Sequence, residues 1–151
     1  MKIRWNFPLF AVIMGSNKGE LSGDCDMYEH AFLEVLDREL VVALGCTEPI
    51  AIALAAAVAS KHLKEPLEFL EVYASGNIIK NAMGVSIPGT GKTGMNLAAA
   101  LGSLGDADRK LEVLSGISED NILEATRMIS AGRIRIKKAD TVKKLYIEVR
   151  A

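Results

Sequence analysis

Cysteine is scarce: Cys25 and Cys46 are the only two in 151 residues, and they lack metal-ligand spacing. That argues against a disulfide framework and for a reducing, cytoplasmic setting. Aromatic residues are also few, at 5%, which leaves little for base stacking. A net charge of −1 removes any strong electrostatic case for binding nucleic acid or an anionic membrane. The apolar run Ile50 to Ala59 is mostly alanine and too short to span a bilayer. Lys2 to Met14 carries two cations and a short apolar stretch, but it has Asn6 and Pro8 within it and no clean cleavage site, so a secretory leader is not the reading.

What is present is an ordinary globular inventory, half hydrophobic and a quarter charged, sufficient for one domain. Residues 1–26 have no sustained period and hold the turn-rich stretches Gly15 to Gly19 and Ser22 to Asp24. They are expected to be a loosely attached N-terminal arm or a start that is not the native one, and residues 27–151 a single α+β domain. In that domain Tyr28, Phe32, Val35, Leu36 and Leu40 recur at helical spacing, with Gly45 the expected stop. A second helix, about Glu48 to Leu63, is apolar nearly all round and belongs in the middle of the fold. Leu67 to Ala74 reads as a strand with Leu70, Val72 and Ala74 on one face.

Further on, a short helical piece is expected from Asn77 to Met83, a strand at Val85 to Ile87, and a small-residue helix from Met95 to Leu104. Leu111 to Leu114 suits another short helix. Ser118 caps a helix that runs to Ala131, with Ile122, Ala125 and Ile129 inward and Gly132 as the stop. The alternating stretches at Ile134 and Ile136, then Leu145, Ile147 and Val149, suggest a hairpin turning near Asp140. The architecture predicted is α+β, with Ala-rich helices packed on three or four strands.

Two motifs invite a chemical reading. Gly89-Thr90-Gly91-Lys92-Thr93 resembles the end of a phosphate-binding loop, but the first position of that pattern falls on Ser86 instead of glycine. Pro88 also removes an amide from the cradle. A nucleotide-binding protein is kept as an alternative, a non-catalytic interaction module as another, and a plain Gly-rich turn is preferred at this motif. The stronger motif is Gly45-Cys46-Thr47-Glu48-Pro49. Proline suits the first turn of a helix and Thr47 can cap its amides. Cys46 is then placed just outside a helix N-terminus, where the dipole favours a thiolate.

Together with Ser75-Gly76-Asn77-Ile78-Ile79-Lys80-Asn81, Gly84 to Thr90, and Gly94 followed by Ala98 to Gly102, this motif resembles the L-cysteine desulfidase family, related to the α-domain of iron–sulfur L-serine dehydratases. The likeness runs over about Glu29 to Ile147. It implies β-elimination of a small amino acid, L-cysteine or L-serine, to pyruvate and ammonia with release of sulfide or water. It also implies a [4Fe–4S] cluster that acts as Lewis acid. By resemblance Cys46 is the proton-transfer thiol, or a cluster ligand only together with cysteines that this chain lacks. Asn77, Lys80 and Asn81 would contact the substrate, and the amides of Gly89, Thr90 and Gly91 would receive its carboxylate.

Plainer roles compete with each of these. Cys46 can be a packed small hydrophobe, Lys80 a solvated lysine, Asn77 and Asn81 helix caps, and Glu48 a complement to the helix dipole. Cys25 and His30 are too few to make a metal site, and His62 is a surface residue at a helix end. Members of that family are more than twice this length, with their cluster cysteines in the later portion. The chain is therefore expected to be the N-terminal part of such an enzyme, either a separate subunit or a truncated piece, inactive alone, and to self-associate or meet a cluster-bearing partner subunit.

Overall fold

The computed structural model describes residues 2–5 and 25–151. Most of the expected 1–26 arm, with its turn-rich stretches, lies outside the described residues. Two compact units are present. One, Pro8–Val42, contains helix α1 (Cys25–Glu39). The other holds strand β1 (Lys2–Trp5) and everything from Ala43 onward. The helical period from Tyr28 is real, but α1 stops at Glu39, well before Gly45.

The larger unit is α+β. Helix α2 (Thr47–Lys61) leads to β2 (Leu70–Ala74), α3 (Gly76–Ala82), and a two-stranded ribbon of β3 (Ser86–Ile87) and β4 (Lys92–Thr93). Helix α4 (Met95–Leu104), a 3₁₀ turn (Ala107–Glu112), α5 (Glu119–Ser130), β5 (Ile134–Lys138) and β6 (Ile147–Arg150) follow. The main sheet has the order β1-β6-β2-β5. Strand β2 pairs in parallel with β5 (Val72 opposite Ile136) and antiparallel with β6 (Val72 opposite Val149). The anticipated β5–β6 hairpin is thus corrected, since β2 lies between the two.

The reason is visible in the connection after β5. It crosses the end of β2: the Ala139 amide donates to Ala74 O, and the Ser75 amide to Tyr146 O. The buried Ser75 hydroxyl donates to Lys144 O and accepts from the Tyr146 amide. A tight turn at Asp140 would leave these end groups of β2 unpaired, which is costly for buried backbone.

Leu70, Val72 and Ala74 are wholly buried and alternate with half-buried Glu71 and Tyr73, so one sheet face meets the helices. Helix α2 is buried on nearly every side, as an apolar, alanine-rich helix must be. It packs on α4 so closely that a β-carbon on Gly102 would lie 2.2 Å from Ala53 O. Helix α5 begins with a capping box between Ser118 and Asn121. It ends with Gly132 at φ +70°, its amide on Ile129 O and that of Arg133 on Met128 O, the paired bonds of a Schellman stop. No helix among the described residues is long and apolar enough to cross a membrane.

Candidate functional site

Cys46 stands at the mouth of α2 with an extended backbone (φ −70°, ψ 136°), immediately before the first helical residue. Its side chain is exposed, so the packed-hydrophobe alternative does not hold. Thr47 does not cap the helix, and Cys46, at the capping position, makes no side-chain bond to the helix amides. The Thr47 hydroxyl instead donates to Glu48 Oε2 at 3.1 Å.

Glu48 is where the donors converge. The Cys46 thiol donates to Oε2 at 3.2 Å, and Asn81 Nδ2 to Oε1 at 3.0 Å. The hydrogen bond from Cys46, followed by those from Asn81, the Glu48 amide and Thr47, holds this carboxyl below its ordinary pKa, against partial burial that pushes it upward. The sequence by itself suggests for Glu48 only the role of a partner of the helix dipole. Glu48 joins two helices, and a contact 33 residues away in sequence leaves no local signal.

The residues of α3 divide by role. Asn81 reaches Glu48 from the last turn of α3, which shows that it is no helix cap. Asn77 is also not the cap, since the chain enters the helix at Ser75. Asn77 and Lys80 are exposed on α3, and no side-chain hydrogen bond joins either to the Cys46–Glu48–Asn81 cluster among the described residues.

The glycine-rich segment is the turn of the β3–β4 ribbon. Gly89 and Gly91 take φ of +75° and +62° with open space around them. Thr90 is committed to the turn itself: its amide and hydroxyl both donate to Ile87 O, and its oxygen accepts from the Lys92 amide. Of the three amides expected to receive a carboxylate, the Thr90 amide is therefore already engaged. Lys92 and Thr93 lie in β4 and not in the first turn of a helix, which is not the strand–loop–helix layout of a phosphate loop. The ribbon does meet the Cys46 loop, through Pro88 against Gly45.

Other candidates are peripheral. His62 is exposed at the end of α2 with Nδ1 2.8 Å from Val58 O, and His30 sits 3.6 Å from Glu34 on α1. Cys25 begins α1. Among the described residues no group of three His, Cys, Asp or Glu side chains is placed to hold a metal ion. A [4Fe–4S] cluster takes three or four thiolates, so these residues do not by themselves fit one, and no step is assigned to it.

Comparison with known proteins places the chain beside longer ones. It is 48% identical over 119 residues to a UPF0597 protein of Oleidesulfovibrio alaskensis, and equally so to a UPF0597 protein of Clostridium perfringens. Both matches take in 78% of this chain and 28% of the relative. A UPF0597 protein of Yersinia enterocolitica is 47% identical over 107 residues, 70% of this chain and 24% of its own. The chain thus spans about a quarter of the length of the curated relatives it matches. No protein-family model matches it, and no solved structure does.

These relatives bear neither a cysteine desulfidase nor a serine dehydratase name, and the family likeness drawn from the motifs is corrected accordingly. The motifs mislead for a structural reason. Gly102 is dictated by the approach of α4 to the Ala53 backbone, and Gly45 by the Pro88 side chain, demands of tight packing that unrelated folds impose as well.

Proposed function

We propose that this chain forms part of a lyase that carries out β-elimination on a small amino acid, L-cysteine or L-serine. The observation that carries the reading is the exposed Cys46 thiol, set at a helix start and hydrogen-bonded to the Glu48 carboxylate. A thiol held in place at an open surface can exchange its proton with a bound substrate, as general acid–base catalysis needs.

In the proposed reaction a base removes the α-proton and the Cα–H electron pair forms the Cα–Cβ double bond. The Cβ–S or Cβ–O bond breaks, and its electron pair leaves with sulfide or hydroxide. The resulting 2-aminoacrylate tautomerises to the imine and takes up one water, giving pyruvate and ammonia. Cys46 serves as the proton-transfer group. Asn77 and Lys80, exposed on the neighbouring helix, are available to the substrate's carboxylate, and so are the amides of Gly89 and Gly91. A cluster serving as Lewis acid would take its thiolates from a partner subunit or from sequence outside this chain. The reducing cytoplasm is the setting in which such a free thiol persists.

Turnover tests this. A full-length relative whose matching segment is replaced by this chain should form pyruvate from L-cysteine or L-serine and lose that activity on Cys46→Ser. The native relative is the control for the assay. The 151-residue chain alone, reconstituted anaerobically with iron and sulfide, is expected to give no turnover. Absence of pyruvate from both amino acids in the native relative and the chimera would overturn the reading.

A further inference from the structure

We infer that Glu48 is the positioning residue of the Cys46 site, its carboxylate aiming the thiol and tying it to α3 through Asn81. The inference deepens the proposed function and takes the Cys46 site from it, but its test needs no turnover.

The argument is geometric. Cys46 sits outside the helix with an extended backbone and no capping bond, so neither helical structure nor capping fixes its χ1. An exposed side chain in that state samples its rotamers freely. The bond that orients the sulfur is its donation to Glu48 Oε2 at 3.2 Å. Glu48 is itself anchored from elsewhere. Asn81 Nδ2 holds the other oxygen at 3.0 Å from a helix 33 residues on, and Thr47 shares Oε2 at 3.1 Å. One carboxylate oxygen therefore faces the α2 mouth and the other faces α3.

A carboxylate serving only the helix dipole needs a place in the first turn and no partner on another helix. One serving as a substrate ligand needs most of its lone pairs free, and here Oε2 accepts from Cys46 and Thr47 and Oε1 from Asn81, which takes up most of a carboxylate's roughly four acceptor sites. The arrangement is that of a strut. Bonds of this kind, with one ionised partner, are stronger than neutral ones and confine the groups they join.

The test is alkylation of Cys46 by iodoacetamide at a single neutral pH, read by peptide mass mapping so that Cys25 is scored separately. Glu48→Gln keeps the shape of the side chain but loses the charge, and should speed labelling about tenfold, the scale of one charge-assisted hydrogen bond. Glu48→Asp, which restores a carboxylate, should bring the rate back toward that of the unaltered protein. Asn81→Ala removes the distant anchor and should give an intermediate rate.

Equal rates in the unaltered protein and Glu48→Gln would overturn the inference. So would a Glu48→Asp variant that labels as fast as Glu48→Gln. Should Glu48→Gln fail to fold, the Asn81→Ala comparison stands in its place, and an unchanged rate there would likewise overturn it. A lyase that turns over normally while these rates do not move would sink this inference and spare the proposed reaction. Rates that move as expected without any pyruvate would do the reverse.

Discussion

A β-carbon on Gly45 would stand 2.5 Å from Pro88 Cγ. The residue before the candidate cysteine and the proline of the glycine-rich ribbon are thus in direct apposition, though 43 positions apart in sequence. Gly45 also has φ +90°, a conformation that side chains rarely adopt. Gly45→Ala should therefore destabilise the fold by roughly 1–3 kcal/mol, seen as an earlier urea midpoint. Pairing it with Pro88→Gly should recover the steric part of that loss and leave the backbone part. Strict additivity of the two changes would show that the two residues do not touch.

Gly102 gives a harsher case. Its missing side chain faces Ala53 O at 2.2 Å, and backbone cannot move aside as a flexible side chain can. Gly102→Ala must push α2 and α4 apart through the centre of the core, at a cost of about 3 kcal/mol or more. Thermal unfolding reads this directly. A melting temperature within a degree or so of the unaltered protein would refute the close packing of these helices, since a change of about 1 kcal/mol shifts it several degrees in a domain of this size.

Acid and alkali should both weaken the sheet through one pair. Lys137 Nζ lies 2.6 Å from Glu71 Oε1. Its hydrogen bond, then that of the Tyr73 hydroxyl, holds the Glu71 carboxyl below the usual carboxylate range, and Glu71 in turn raises the Lys137 ammonium above its ordinary value. The Glu71 contribution is present above the unfolded carboxylate pKa and is lost as pH falls through the depressed folded value. That of Lys137 is complete below the unfolded lysine pKa and vanishes as pH rises through the raised folded value. Glu71→Gln should flatten stability against pH at both ends. A profile parallel to that of the unaltered protein would contradict the pairing.

Glu48 follows the same carboxylate sign. Its pKa is depressed, first by the thiol of Cys46, so its titration followed by side-chain NMR should move upward in Cys46→Ala. Immobility of that titration would mean that the thiol is not bonded to it in solution.

Exposed apolar surface on α1 underlies the expected self-association. Phe32 is 67% exposed and Leu33 58%, and burying such side chains in a partner is favourable. Light scattering should show a mass that rises with concentration, and Phe32→Glu should lower it. A monomer at every concentration would remove this expectation.

How much of this was legible beforehand depends on the range of the signal. Helices α2, α4 and α5 lie close to where the sequence puts them, because an unbroken apolar or small-residue run marks the first two and a capping box and a stop glycine bound the third; β2 begins three residues late, at Leu70. The sheet order is not legible, since β5 and β6 pair with a strand some 60 or more residues earlier and nothing local announces it. The Gly45 stop failed because a positive φ serves a close approach to Pro88 as well as it serves a helix end. The place of Cys46 at the start of α2 is legible from its setting just before a proline and a helix. The Glu48–Asn81 bond is not legible in the sequence, because it joins two helices 33 residues apart.

The amino-acid order by itself determined that an alanine-rich helix would be buried and that Cys46 would stand at its open end. Small side chains can pack on every side, and a proline after the cysteine admits only the first turn. The folded chain alone decided that the thiol is exposed, that its partner is a carboxylate held by Asn81, and that β2 separates the last two strands. Those outcomes depend on which distant groups satisfy one another's hydrogen bonds, and only the assembled structure brings them within reach.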